Sequence, residues 1–91
     1  MFFIGNAITL TCRASGNPTP KIKWFFKGKP IPLNALGYRI VGDNYETLMI
    51  ESAESSNGGK YSCMAENGFG ADQKDSIVTV FGIIYEFTSK L

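Results

Sequence analysis

Apolar and polar positions alternate with a period of two along most of this chain, broken at short intervals by clusters of Gly, Asn, Asp and Pro. In an extended strand such alternation sends successive side chains to opposite faces. Over 7–14, Ile8, Leu10 and Cys12 share one face, and Thr9, Thr11 and Arg13 the other. Over 21–27, Ile22, Trp24 and Phe26 point inward, and Lys21, Lys23, Phe25 and Lys27 outward. Leu48 and Ile50 are the inward positions of 47–50; Tyr61, Cys63 and Ala65 are those of 60–67. In the last strand Val78 and Val80 face inward, and Ile77 and Thr79 outward. A shorter strand is expected over 38–41. Between these runs lie turn-forming stretches: Gly16-Asn17-Pro18-Thr19-Pro20, Lys27-Gly28-Lys29-Pro30, Gly42-Asp43-Asn44, Asn57-Gly58-Gly59 and Asn67-Gly68-Phe69-Gly70. No long stretch has helical periodicity and no internal repeat is visible. Short strands at this spacing predict an all-β sandwich or barrel.

Composition narrows the chemistry. The chain has 91 residues, enough for one small domain with a modest core. A hydrophobic fraction of 44% against 19% charged is that of a folded chain. Nine basic and eight acidic residues leave a net charge of +1, so no overall field attracts nucleic acid or an anionic membrane. The longest uncharged apolar run, between Asp75 and Glu86, is too short for a membrane helix. Met1 to Gly5 lacks the basic region and length of a signal peptide, so a secreted form is expected to carry its signal upstream in a longer parent.

Histidine is absent, which removes the commonest general base and the commonest metal ligand. Two cysteines cannot build a structural zinc site alone; a disulfide is the better reading, a reduced pair the other. No nucleophile has a base and an orienting residue beside it, the glycines match no phosphate-binding loop, and the acidic residues lack calcium-loop spacing. The reading is a non-enzyme without catalytic residues, metal or cofactor.

One constellation is specific. Trp24 follows Cys12 by twelve positions, Tyr61 precedes Cys63 by two, and all four residues fall on inward phases. With Ile8-Thr9-Leu10-Thr11-Cys12, Ile22-Lys23-Trp24-Phe25, Leu48-Met49-Ile50 and the run from Asn57 to Gly70, the chain resembles the I-set of the immunoglobulin superfamily over about residues 5–81. The style is similar to neural adhesion and axon-guidance receptor ectodomains, and to muscle I-set domains. The resemblance implies two antiparallel sheets with Greek-key connections, a Cys12–Cys63 bridge between them, and a core built on Trp24, Tyr61 and Leu48. It implies residues 1–81 as the domain and 82–91 as an extension, either linker or foreign sequence. Asn57 stands where the family usually has Asp, often paired with an Arg, for which Arg39 is the candidate. Only Phe2 to Ile4 remain for a first strand. Residues 83–91 are apolar enough to be expected to pack along a sheet edge or to self-associate.

The implied function is a protein-interaction module of an adhesion molecule or cell-surface receptor, homophilic or heterophilic. Its setting is extracellular, joined to a membrane only through a parent chain. The alternative is a cytoplasmic, sarcomeric module acting as a mechanical spacer. Outward Phe25 and Met64, with Ile77, form an expected apolar centre rimmed by Lys23 and Glu66; Phe69 at a hairpin tip is a further candidate contact. Lys21, Lys23, Lys27 and Lys29 form a basic stripe read chiefly as a solvated face, and less readily as a site for a sulfated glycan.

Overall fold

β-Branched and aromatic residues alternating with polar ones form strands wherever one face can be buried, and the computed structural model shows nine such segments within the described residues, 2–81. They are β1 (Phe2–Phe3), β2 (Ile8–Thr11), β3 (Lys21–Phe26), β4 (Lys29–Pro30), β5 (Arg39–Val41), β6 (Thr47–Ile50), β7 (Gly59–Glu66), β8 (Ala71–Val78) and β9 (Val80–Phe81). A single 3-10 turn, Ser55–Asn57, leads into β7. One sheet has the order β2-β6-β5 and the other β4-β3-β7-β8, both antiparallel throughout. β1 lies parallel to β9, pairing Phe2 with Val80 and Phe3 with Phe81. Of the short first strand expected at Phe2 to Ile4, Phe2 and Phe3 are present, and Ile4 lies in the following turn. The 82–91 extension and its expected packing along a sheet edge lie outside the described residues.

The β3–β4 hairpin turns through two residues, Lys27 at φ 51° and Gly28 at φ 81°. Positive φ at both central positions is the turn whose twist matches that of the flanking strands.

The inward faces meet as the alternation predicts. Ile8, Leu48 and Tyr61 are the largest fully buried side chains. Ile22, Trp24, Ile50, Ala53, Val78 and both cysteines complete the buried set, and Leu10, Phe26, Ala65 and Val80 pack against it from its margins. Cys12, just after β2, is bonded to Cys63 in the middle of β7, so the bridge joins the two sheets.

The corner before β7 is built on Tyr61. Its hydroxyl donates to the Asn57 carbonyl at 2.7 Å, and its ring lies 4.6 Å from that of Phe26. Burial, and then the neighbouring Tyr38 hydroxyl, hold this phenol protonated well above its ordinary range. Its folded-state value exceeds the unfolded one, so its contribution to stability is intact below about pH 10 and is lost as pH rises above that. Tyr61→Phe is expected to cost about 1–3 kcal/mol by stranding the Asn57 carbonyl. Urea denaturation checks the cost, and ultraviolet titration of the phenols should show the highest-pH step disappear.

The expected link between Arg39 and position 57 is corrected. Arg39 Nη1 donates to Glu51 Oε1 at 3.3 Å. Arg39 lies opposite Met49 in the β5–β6 register, and Glu51 is two residues beyond Met49 on the same side. The Asn57 side chain is occupied locally: Oδ1 accepts from the Glu54 N–H at 2.6 Å and closes the 3-10 turn. The Arg39–Glu51 pair is exposed at both ends, so it adds at most about 1 kcal/mol.

Candidate functional site

The outer face of the four-stranded sheet follows from alternation and register together. The hairpin turn after β7 pairs Glu66 with Ala71, and every other β7–β8 partner follows from that step. Four rows result across β3, β7 and β8. The first is Lys21, Glu66 and Ala71; the second is Lys23, Met64 and Gln73; the third is Phe25, Ser62 and Asp75. The fourth row carries Lys60 and Ile77.

This places the sequence candidates unequally. Phe25 and Met64 stand on neighbouring strands one row apart, a diagonal that long side chains span. Both are half-buried. Lys23 is directly opposite Met64, and Glu66 is the next outward residue of β7. These four form one continuous patch. Ile77 is 70% exposed and lies beyond the Ser62–Asp75 row, outside that patch. Phe69 is 85% exposed at the tip of the β7–β8 hairpin.

The middle of the face is polar. Ser62 is only 4% exposed although its phase is outward, because its neighbours across the sheet, Phe25 and Asp75, close over a small side chain. A hydrogen bond from the Ser62 hydroxyl is the main cause that holds the Asp75 carboxyl below its ordinary value; Gln73 and then Lys60 add to it. Gln73 Nε2 donates to Asp75 Oδ1 at 3.2 Å, and Lys60 Nζ is 3.8 Å from Oδ2. Ser62→Ala should therefore raise the Asp75 pKa, as read from carboxyl carbon shifts in an NMR titration. With the folded value depressed, the small stabilisation exists above the ordinary carboxylate range and is lost as pH falls through the folded value.

The hairpin tip is held by Asn67. Its side-chain amide donates to the Pro18 carbonyl at 3.0 Å, and its Oδ1 accepts from the Phe69 N–H at 3.0 Å. The Asn67 N–H donates to Gly70 O at 3.2 Å, with Gly68 at φ 89° between them. Phe69 is thus presented from a turn tied to the loop before β3.

Sequence reasoning missed Ser62, Asp75 and Asn67. The first two were accessible from the Glu66–Ala71 step, which fixes that 62 faces 75. The Asn67–Pro18 contact spans 49 residues and leaves no local signal. Among the described residues no group of three or more His, Cys, Asp or Glu could hold a metal ion.

Comparison with known proteins agrees with this geometry. The immunoglobulin I-set domain model matches residues 2–80. The cell adhesion molecule Dscam2 of Drosophila melanogaster is 37% identical over 86 residues, covering 89% of this chain and 4% of that protein. The muscle M-line assembly protein unc-89 of Caenorhabditis elegans is 34% identical over 84 residues, covering 92% of this chain and 1% of that protein. The crystal structure of the N-terminal Ig1-2 module of the Drosophila receptor protein tyrosine phosphatase DLAR superimposes with a TM-score of 0.77 at 32% identity, covering 88% of this chain and 40% of that one. The chain thus spans only a few per cent of the curated relatives' length. With its two antiparallel sheets joined by Cys12–Cys63, the chain belongs to the immunoglobulin I-set domain family.

Proposed function

We propose that this domain is a non-catalytic protein-interaction module of a cell-adhesion molecule or cell-surface receptor, binding protein partners through the outer face of β3, β7 and β8. The observation that carries the reading is the patch of Phe25 and Met64 with Lys23 and Glu66 at its margin. An apolar centre with a charged rim is the usual anatomy of a binding surface. Likeness to Dscam2 and to a receptor phosphatase supports the cell-surface setting, and a bridge such as Cys12–Cys63 persists in oxidising compartments.

The test is adhesion of beads coated with the domain, to one another and to cells. Phe25→Asp with Met64→Lys should abolish attachment, while Thr9→Lys, at an exposed position on the other sheet, should not. Equal attachment by all three proteins would reject the outer face. Bead-to-bead clustering separates homophilic from heterophilic binding. A heparin wash separates protein partners from a sulfated glycan at the lysine stripe.

Likeness to a muscle M-line assembly protein favours a second reading, a cytoplasmic mechanical module. Quantitative thiol labelling of protein from its native source discriminates the two. Cys12 and Cys63 should be blocked in the cell-surface setting and free in the cytoplasmic one.

A further inference from the structure

β4 is only two residues long, so most of β3 runs past it on the edge away from β7. The chain after β4 leaves the sheet and crosses towards β5. Between β3, this crossing segment and β5 opens a groove of about 440 Å³. Its apolar lining includes Phe25, Ile31, Leu33, Ile40 and Tyr45. Two bonds fix its walls. The Ile31 N–H donates to Trp24 O at 2.8 Å, and Trp24 Nε1 donates to Tyr45 O at 2.8 Å. Leu33 stands at the opening, 58% exposed.

The charged side chains that line this groove have one sign, with Glu66 across the strand from Lys21 outside the lining. Lys21 and Lys23 are part of its lining, which contains no carboxylate. Neither lysine forms an ion pair among the described residues, where the only two ion pairs are Arg39–Glu51 and Lys60–Asp75. Lys27 and Lys29 follow on the adjoining hairpin. An apolar floor beside ammonium groups that form no ion pair complements a segment with an apolar side chain and carboxylates beside it. A sulfated glycan would satisfy the lysines but leave the floor unfilled. A neutral apolar segment would fill the floor but leave the lysines without counter-charge.

We propose that this edge groove binds an acidic segment of a protein partner, inserting one of its apolar side chains between Leu33 and β3 with its carboxylates on Lys21 and Lys23. The site is separate from the outer-face patch apart from its shared border at Lys23 and Phe25, and it can hold whether or not that face binds a partner.

Selection of random short peptides displayed on phage against the immobilised domain tests this. Enriched peptides should carry Leu, Phe or Tyr flanked by Asp or Glu. Their affinity should fall with rising salt, and Leu33→Glu and Lys21→Glu should each weaken it by about tenfold or more. Both positions are exposed, so each variant should stay folded, with the Lys21→Glu midpoint slightly lowered because the new carboxylate faces Glu66. Thr9→Lys, exposed on the other sheet and outside both surfaces, should leave peptide binding unchanged. The proposal is overturned if no peptide is enriched, or if enriched peptides lack acidic residues. Peptides that bind Leu33→Glu as tightly as wild type also overturn it. So does a heparin-derived hexasaccharide that displaces the peptides and binds Leu33→Glu unweakened, because lysines alone would then suffice. Sedimentation equilibrium showing a dimer that Leu33→Glu dissolves would assign the groove to a second copy of this chain and overturn it likewise.

Discussion

Replacing both Cys12 and Cys63 with alanine is expected to remove about 4 kcal/mol of stability, measured as the loss in unfolding free energy in urea under non-reducing conditions. The bridge closes a separation of 51 residues, and a loop of that length gives about 4 kcal/mol in the chain-entropy model. A domain of this size holds about 5–12 kcal/mol in all, so the change consumes a large part of the total. Both cysteines are buried at the junction of the sheets, so alanine also leaves unfilled space there. The variant should unfold at a much lower urea concentration, and reductant should no longer affect its midpoint. A loss below about 1 kcal/mol would mean that packing alone holds the sheets together.

Trp24→Ala is expected to cost about 3–5 kcal/mol, the range for truncating a buried aromatic side chain. Trp24 is buried and lies opposite Cys63 in the β3–β7 register, beside the bridge. It also makes a directed bond, from Nε1 to the carbonyl of Tyr45, a residue with φ 62°. Trp24→Phe keeps most of the apolar area and loses that bond, so about 1–3 kcal/mol is expected from the stranded carbonyl. The two variants together separate packing from hydrogen bonding. With the 42–45 turn loosened, the Ile22 amide, which donates to Asn44 O at 2.9 Å, should exchange faster in Trp24→Phe than in wild type. Trp24 adjoins the bridge, so its truncation and the cysteine replacements should be non-additive in a double-mutant cycle.

The core was legible because burial on a two-sheet fold follows strict alternation. Ile8, Ile22, Trp24, Leu48, Ile50, Tyr61, Cys63 and Val78 all sit where their phase put them. Phase says which face a side chain occupies but not what closes over it, and Ser62 is the instance: outward by phase, yet buried beneath Phe25 and Asp75. It also does not say how far a long side chain reaches. Arg39 found Glu51 just past the end of the neighbouring strand, a choice made by exposed rotamers and not by pattern. Ile77 shares the outer face with Met64, but register places it two rows away, beyond the polar cluster. The edge groove was the least legible feature. It depends on where β4 stops and where 31–33 crosses, and irregular backbone carries no periodic signal.

The claim that this domain binds through its outer face is tested most directly by site-specific photocross-linking. A diazirine-bearing side chain at position 64, and in a second protein at position 9 on the opposite sheet, would be irradiated in an extract of the cells that make the protein. The expected result is a discrete protein adduct from position 64, absent from position 9 and lost when Phe25→Asp is added. Adducts from position 9 alone, or equally from both positions, would contradict it.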